Sequence, residues 1–214
     1  MKLYYWLMNL LFPRKCVLCR KLLSKAETDL CRCCREEAPM YPIGKRTPQF
    51  LDSFAAVWYY EDSVRQSLLR FKFYGARHYG AVYGRLVAMK VLESEEEFDV
   101  LTWIPVSPLR KLRRGYDQVE LIAKAAGREL GMAPVSVLKK IRHNRPQSGI
   151  SDAAMRRANV LGAYRVVHPE LVSGKRVLLL DDILTTGSTA SEAARMLKTA
   201  GAKEVHCAAV AARK

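Results

Sequence analysis

Two constellations in this chain have residue types and spacing suited to chemistry. The first is VLLLDDILTTGST, residues 177–189, in which Asp181 and Asp182 follow an aliphatic run and precede four hydroxyls around one glycine. Between a strand and a helix, the backbone amides of 185–188 and the hydroxyls of Thr185, Thr186, Ser188 and Thr189 form an anion cradle at a helix N-terminus. Gly187 lets the backbone approach a phosphate closely. Carboxylates accept hydrogen bonds, so the acidic pair suits vicinal ribose hydroxyls. The pattern asks for a ligand carrying a phosphate and a ribose diol close together. The second constellation is CVLC followed by CRCC, which places Cys16, Cys19, Cys31, Cys33 and Cys34 within a nineteen-residue window. Two CxxC turns, Cys16/Cys19 and Cys31/Cys34, aim four thiolates at one point. They predict a closed, structural zinc site, since four cysteines leave no open position for catalysis. The eleven-residue gap is short for a zinc ribbon, Cys33 is an alternative to a neighbouring ligand, and reduced cysteines on a flexible arm are the competing reading.

The elements around these residues follow from periodicity and punctuation. FAAVWYY (54–60), VLTWIPV (100–106), KRVLLL (175–180) and EVHCAAVAA (204–212) read as strands. Residues 62–73, with Asp62 as N-cap, and residues 78–94, 116–130 and 188–201 read as helices, the last two closed by Gly131 and Gly201. Strands alternating with helices predict an α/β fold with a doubly wound, mainly parallel sheet. Ligands bind such sheets outside the carboxyl ends of the strands, where 181–189 falls. Cys207 and His206 lie in an apolar strand and read as core residues. Prolines and a glycine across 38–50 interrupt regular structure. The predicted organisation is 1–42, an N-terminal helix and zinc-binding module; 43–53, a linker; and 54–214, the main domain.

Charge narrows the partners. The 214 residues carry 36 Lys and Arg against 21 Asp and Glu, a formal charge of +15. Residues 1–50 hold +6 and residues 105–157 hold +8, so the positive field is local. An acidic partner is implied: nucleic acid, phosphate esters or an anionic surface. The apolar start, MKLYYWLMNLLFP, is too short to span a bilayer and reads as an amphipathic helix rather than a secretory signal. A cytoplasmic location is the expectation.

The 177–189 motif resembles the phosphoribosyl-pyrophosphate (PRPP) motif of type I phosphoribosyltransferases. The wider chain is similar to the ComF family, competence protein ComFC and GntX-like proteins. That similarity runs through LLFPRKCVLC, the cysteine knuckle, IPVSPLRKLRRGYDQVELIAKAAGREL and RHNRPQSGISDAAMRRANVLGAYRV. The resemblance implies a zinc-ribbon-like module joined to a phosphoribosyltransferase-type domain. By it, Asp181 and Asp182 hold the ribose hydroxyls and Thr185, Thr186, Gly187, Ser188 and Thr189 the 5′-phosphate. The loop from Pro105 to Arg110, including Val106 and Ser107, faces the pyrophosphate with Mg2+ between. Lys72 matches a lysine common in the family and joins the acidic pair as a catalytic candidate. Arg142, Arg145, Gln147, Arg157 and Asn159 fall in a segment resembling the mobile loop over the site; the alternative is a plain connection. Where the family commonly shows RGFNQ, this chain has Arg114, Gly115, Tyr116, Asp117 and Gln118, which opens the role of Asp117. Lys111, Arg113 and Arg114 are candidate nucleic-acid contacts or, alternatively, a solvated basic turn. Tyr41, Trp58 and Tyr59 read as core or rim rather than stacking platforms. Two functions follow: a PRPP-binding accessory of DNA uptake and processing, with DNA and a DNA-uptake helicase as partners, or an active phosphoribosyltransferase acting on a base or amine.

Overall fold

The structure, a computed structural model, describes residues 13–42, 47–142 and 160–214. The N-terminal apolar stretch lies outside the described residues, as do Arg145, Gln147, Arg157 and Asn159. After a short helix α1 (Arg32–Glu37) the chain forms β1 (Ser53–Tyr59), α2 (Asp62–Phe73), α3 (Tyr79–Leu92), β2 (Val100–Trp103), α4 (Pro108–Arg114) and α5 (Gln118–Leu130). A short hairpin, β3 (Leu138–Lys140) and β4 (Tyr164–Val166), precedes β5 (Arg176–Leu184), α6 (Ser188–Thr199) and β6 (Glu204–Ala212).

The main sheet has the order β1-β6-β5-β2, and every neighbouring pair is parallel. Adjacent strand residues face opposite sides, and the packing divides accordingly. Leu178 and Leu180 join α2, α3 and α5 in one core, while Val177 and Leu179 join α6 and the hairpin in the other. Helices on both faces make the fold the expected doubly wound α/β architecture. Alanines 190, 193 and 194 let α6 lie close on the sheet. On the other face α3 meets α5 through Gly84, where an added Cβ would stand 2.3 Å from Ala125 Cβ and 2.7 Å from the Ala126 nitrogen.

The four-cysteine segment is not a loose arm. Val17 and Leu18, each 1% exposed, share the core with Leu68, Phe71 and Tyr83. The segment leading out of it runs antiparallel along β1, with a Met40–Trp58 bridge and hydrogen bonds from Tyr41 N to Val57 O (3.0 Å) and Tyr59 N to Pro39 O (2.7 Å). On the opposite edge, Val135 N donates to Leu101 O at 2.9 Å. Tyr41 and Trp58 are buried. Among the described residues no helix is long and apolar enough to cross a membrane.

Several boundaries differ from the sequence reading. Glu61, in extended backbone, is the N-cap of α2; Asp62 is already its first residue, at φ +40°. β2 stops at Trp103 because Pro105 has no N–H to continue a ladder. β5 runs on to Leu184, so the acidic pair lies within the strand rather than beyond it. α5 starts at Gln118, since Tyr116 is drawn into the core, where its hydroxyl donates to Phe71 O. The basic stretch after Ser107 is a helix, not a turn. The β3–β4 pairing went unread because three-residue strands carry no period.

Candidate functional site

At the carboxyl edge of β5 the strand alternation has a chemical consequence. Asp182 shares the face of Leu178 and Leu180, and Asp181 that of Val177 and Leu179, so the carboxylates straddle the end of the sheet. Each has a lysine on its own side, in contact for Asp182 and at longer range for Asp181. Lys72, near the end of α2, donates from Nζ to Asp182 Oδ1 at 2.8 Å. Lys140, at the end of β3, lies on the Asp181 side, with its ammonium 5.0 Å from the Tyr164 ring centroid and 3.2 Å from the Tyr164 hydroxyl. Gln118 Nε2 donates to Asp182 Oδ2 at 2.8 Å, and Arg114 Nη1 donates to Gln118 Oε1 at 2.7 Å. A chain of polar contacts therefore runs from Arg114 through Gln118 and Asp182 to Lys72.

Burial and the neighbouring Asp182 charge push the Asp181 carboxyl up, against the pull of Lys72 and Lys140. Burial, then Arg110, lower the Lys140 ammonium to about 8, with Asp181 acting in the opposite direction. The raised Asp181 carboxyl marks a pair short of hydrogen-bond donors or cations.

These groups line an open cavity of about 920 Å3. Lys72, Val106, Arg110, Arg113, Arg114, Asp181, Asp182, Thr185 and Thr189 are all on its wall. So are Arg65, Lys140 and Arg213, none of which the sequence singled out, giving seven cations against two carboxylates. Such a wall suits a polyanion with a hydroxyl-bearing centre. Ser107, 2% exposed, is off the wall and caps α4, accepting from Arg110 N at 3.4 Å. Only Pro105–Ser107 of the expected 105–110 loop is irregular; Arg110 projects from the first turn of α4. Asp117 is resolved as a cap: Oδ1 accepts from Val119 N (3.0 Å) and Glu120 N (3.2 Å), and Oδ2 from Val106 N (3.1 Å). It ties the 105–107 turn to α5.

In the 185–189 turn Gly187 has φ +74°, and an added Cβ would stand 2.7 Å from Pro48 Cγ. Glycine is required there by backbone conformation and by the packing of Pro48. Thr186 Oγ1 and Ser188 Oγ lie 2.8 Å apart. Lys111 pairs with Glu120 at 3.0 Å, outside the cavity wall, and exposed Arg142 donates to Leu161 O at 3.4 Å.

The cysteine site is compact. The sulfurs of Cys16, Cys19, Cys31 and Cys34 all lie within 4.8 Å of one another, and none is in a disulfide. A tetrahedral zinc with Zn–S near 2.3 Å needs sulfurs about 3.8 Å apart. Burial pushes the Cys16 thiol up, but the amides of Cys19, Cys31 and Leu18 outweigh it and hold the group at about 7. The donor set fits zinc. Cys33 is exposed and turned to Glu37 Oε2 at 3.0 Å, so it replaces none of the four.

Comparison with known proteins agrees with this geometry. Competence protein F of Haemophilus influenzae is 26% identical over 91% of this chain and 95% of its own length. Competence protein ComFC of Streptococcus pneumoniae is 31% identical over 72% of this chain and 65% of its own. The chain is similar to the ComF competence proteins. Residues 119–214 of this chain also match the phosphoribosyl transferase domain. The DNA utilization protein YhgH of Escherichia coli K12 is a further relative, 26% identical over 90% of this chain and 94% of its own. Among solved structures, the glutamine PRPP amidotransferase of B. subtilis aligns at a TM-score of 0.41 and 28% identity, over 61% of this chain. This chain spans 25% of that structure's length.

Proposed function

We propose that this ComF-type protein binds PRPP with Mg2+ at the edge of β5 and β2 and acts in DNA uptake and processing. The observation that carries the reading is the acidic pair at the base of a cavity walled by seven cations, beside the Thr185–Thr189 turn. The carboxylates would accept from the ribose hydroxyls, the turn would hold the 5′-phosphate, and Arg110 with Lys140 would face the diphosphate, which brings its own Mg2+. Zinc would close the cysteine site and supply folding free energy to a short segment.

The nucleic-acid part of the reading rests on α4. It buries no residue, carries Arg110, Lys111, Arg113 and Arg114, and exposes Leu109 and Leu112. Phe73 and Tyr74 are exposed beside it, with the Arg114 guanidinium 5.1 Å from the Phe73 ring centroid. Cations interleaved with aromatics suit single strands, whose bases stack while phosphates are neutralised.

The test is thermal. PRPP with Mg2+ should raise the melting temperature of the folded protein by linkage, and Asp181→Asn with Asp182→Asn should abolish the rise. A double variant that keeps the shift would remove the acidic pair from the ligand site. A pyrophosphate-release assay with a panel of bases and amines decides whether binding leads to phosphoribosyl transfer.

A further inference from the structure

The cysteine knuckle and the cavity are joined by one helix. Val17 and Leu18, the residues between Cys16 and Cys19, present their carbonyls to α2. Val17 O accepts from the Ser67 hydroxyl and, at 3.2 Å, from Arg70 Nη2; Leu18 O accepts from the same Arg70 nitrogen. Ser67 is fully buried and also meets the Tyr83 hydroxyl of α3 at 2.6 Å. Behind the turn, Val17 N donates to Asp29 O at 3.0 Å, and the Asp29 carboxylate takes a bidentate contact from Arg85 of α3. Two residues past Arg70, on another face of α2, Lys72 reaches Asp182. The next carbonyl along the helix, that of Phe71, accepts from the Tyr116 hydroxyl.

α2 is thus gripped by the knuckle on one side and by the cavity on the other. The grip depends on the shape of the Cys16–Cys19 turn, and a bound cation would fix that shape by joining four sulfurs that no disulfide links. We infer that the metal-bound knuckle positions the cavity: through Ser67 and Arg70 it fixes α2 so that Lys72 stays against Asp182, and loss of the metal lowers affinity for the phosphoribose ligand. Ser67 and Arg70 are positioning residues in this scheme and touch no ligand. The inference rests on the PRPP-binding reading for its ligand, but the mechanical coupling can be read without one.

The experiment compares full-length protein as zinc-loaded, chelator-stripped and re-loaded samples, with metal content measured for each and secondary structure checked by circular dichroism. Ser67→Ala and Arg70→Gln are prepared zinc-loaded, so that the link is cut while the metal stays. Titration with PRPP and Mg2+ should show affinity falling about tenfold or more on stripping, the scale of a lost charge-assisted hydrogen bond, and recovering on re-loading. Both variants should show a loss in the same direction with zinc retained. Hydrogen exchange should lose protection over 67–74 in the stripped protein and in both variants. Unchanged affinity and unchanged exchange after verified zinc removal would overturn the inference, as would zinc-loaded variants indistinguishable from wild type in both readouts. If zinc-loaded wild type binds no PRPP, the ligand reading falls. The exchange data then decide the coupling alone, with unaltered protection over 67–74 overturning it.

Discussion

At the scale of single residues, the site is organised by which face of a strand each carboxylate occupies. Lys140 and Asp181 are cavity groups whose charge changes near physiological pH: burial and Arg110 bring the ammonium to about 8, and burial with the Asp182 charge raises the carboxyl to about 8. Below that value the lysine is cationic and the carboxyl neutral, which favours a phosphate; above it the attraction is lost and a negative charge is added. Phosphate monoesters complete their ionisation near pH 6, so between about pH 7 and pH 9 these two protein groups titrate. Affinity for PRPP is expected to fall across that interval in the wild type and to be weaker, with a shallower fall, in Lys140→Met, where only the carboxyl titrates, as read by titration calorimetry. A methionine variant whose fall is as steep as the wild type's would remove the lysine from the pH dependence. The acidic pair and the hydroxyl turn were legible in the sequence because aliphatic run, carboxylates, glycine and hydroxyls are contiguous. Lys140 and Gln118 were not, because each reaches the pair from an element distant in sequence. Asp117 drew attention by its charge, yet the residue that faces Asp182 is its neighbour.

At the scale of elements, the packing of α3 on α5 decides where Gln118 and Arg114 stand. Gly84 is the point of closest approach, and the atoms an added methyl would meet include the Ala126 nitrogen and the Ile122 carbonyl oxygen, each at 2.7 Å. Backbone atoms in a packed helix cannot rotate aside. Gly84→Ala gains about 1 kcal/mol of helix propensity, but overpacking is expected to cost up to about 3 kcal/mol. The net expectation is a lower urea midpoint with an unchanged slope, and a midpoint at or above wild type would show that the helices separate freely. The four parallel strands and their helices could be read from apolar runs alternating with 3.6-residue periods. The ends could not, because Tyr116, Pro105 and the long β5 answer to tertiary packing rather than to local preference.

At the scale of the molecule, the charge of +15 is uneven, and seven cations of α4 and its neighbours line the cavity. Binding to a single-stranded oligonucleotide should weaken as salt rises, with a log-log slope of about 0.7 per neutralised phosphate. Lys111→Ala with Arg113→Ala should flatten that slope by about 1.4, while Phe73→Ala with Tyr74→Ala should weaken binding at every salt concentration and leave the slope unaltered. Absence of binding at low salt would remove nucleic acid from the function. The covering of the sheet edges has a consequence for the molecule at high concentration. Residues 39–41 pair with β1 and Val135 pairs beside β2, so neither outer strand offers a bare row of amides and carbonyls to another copy. The strip that seals β1 belongs to the segment leading out of the cysteine knuckle. Cutting the chain there would leave a seven-residue strand able to template association, making the knuckle's exit segment a safeguard of colloidal solubility.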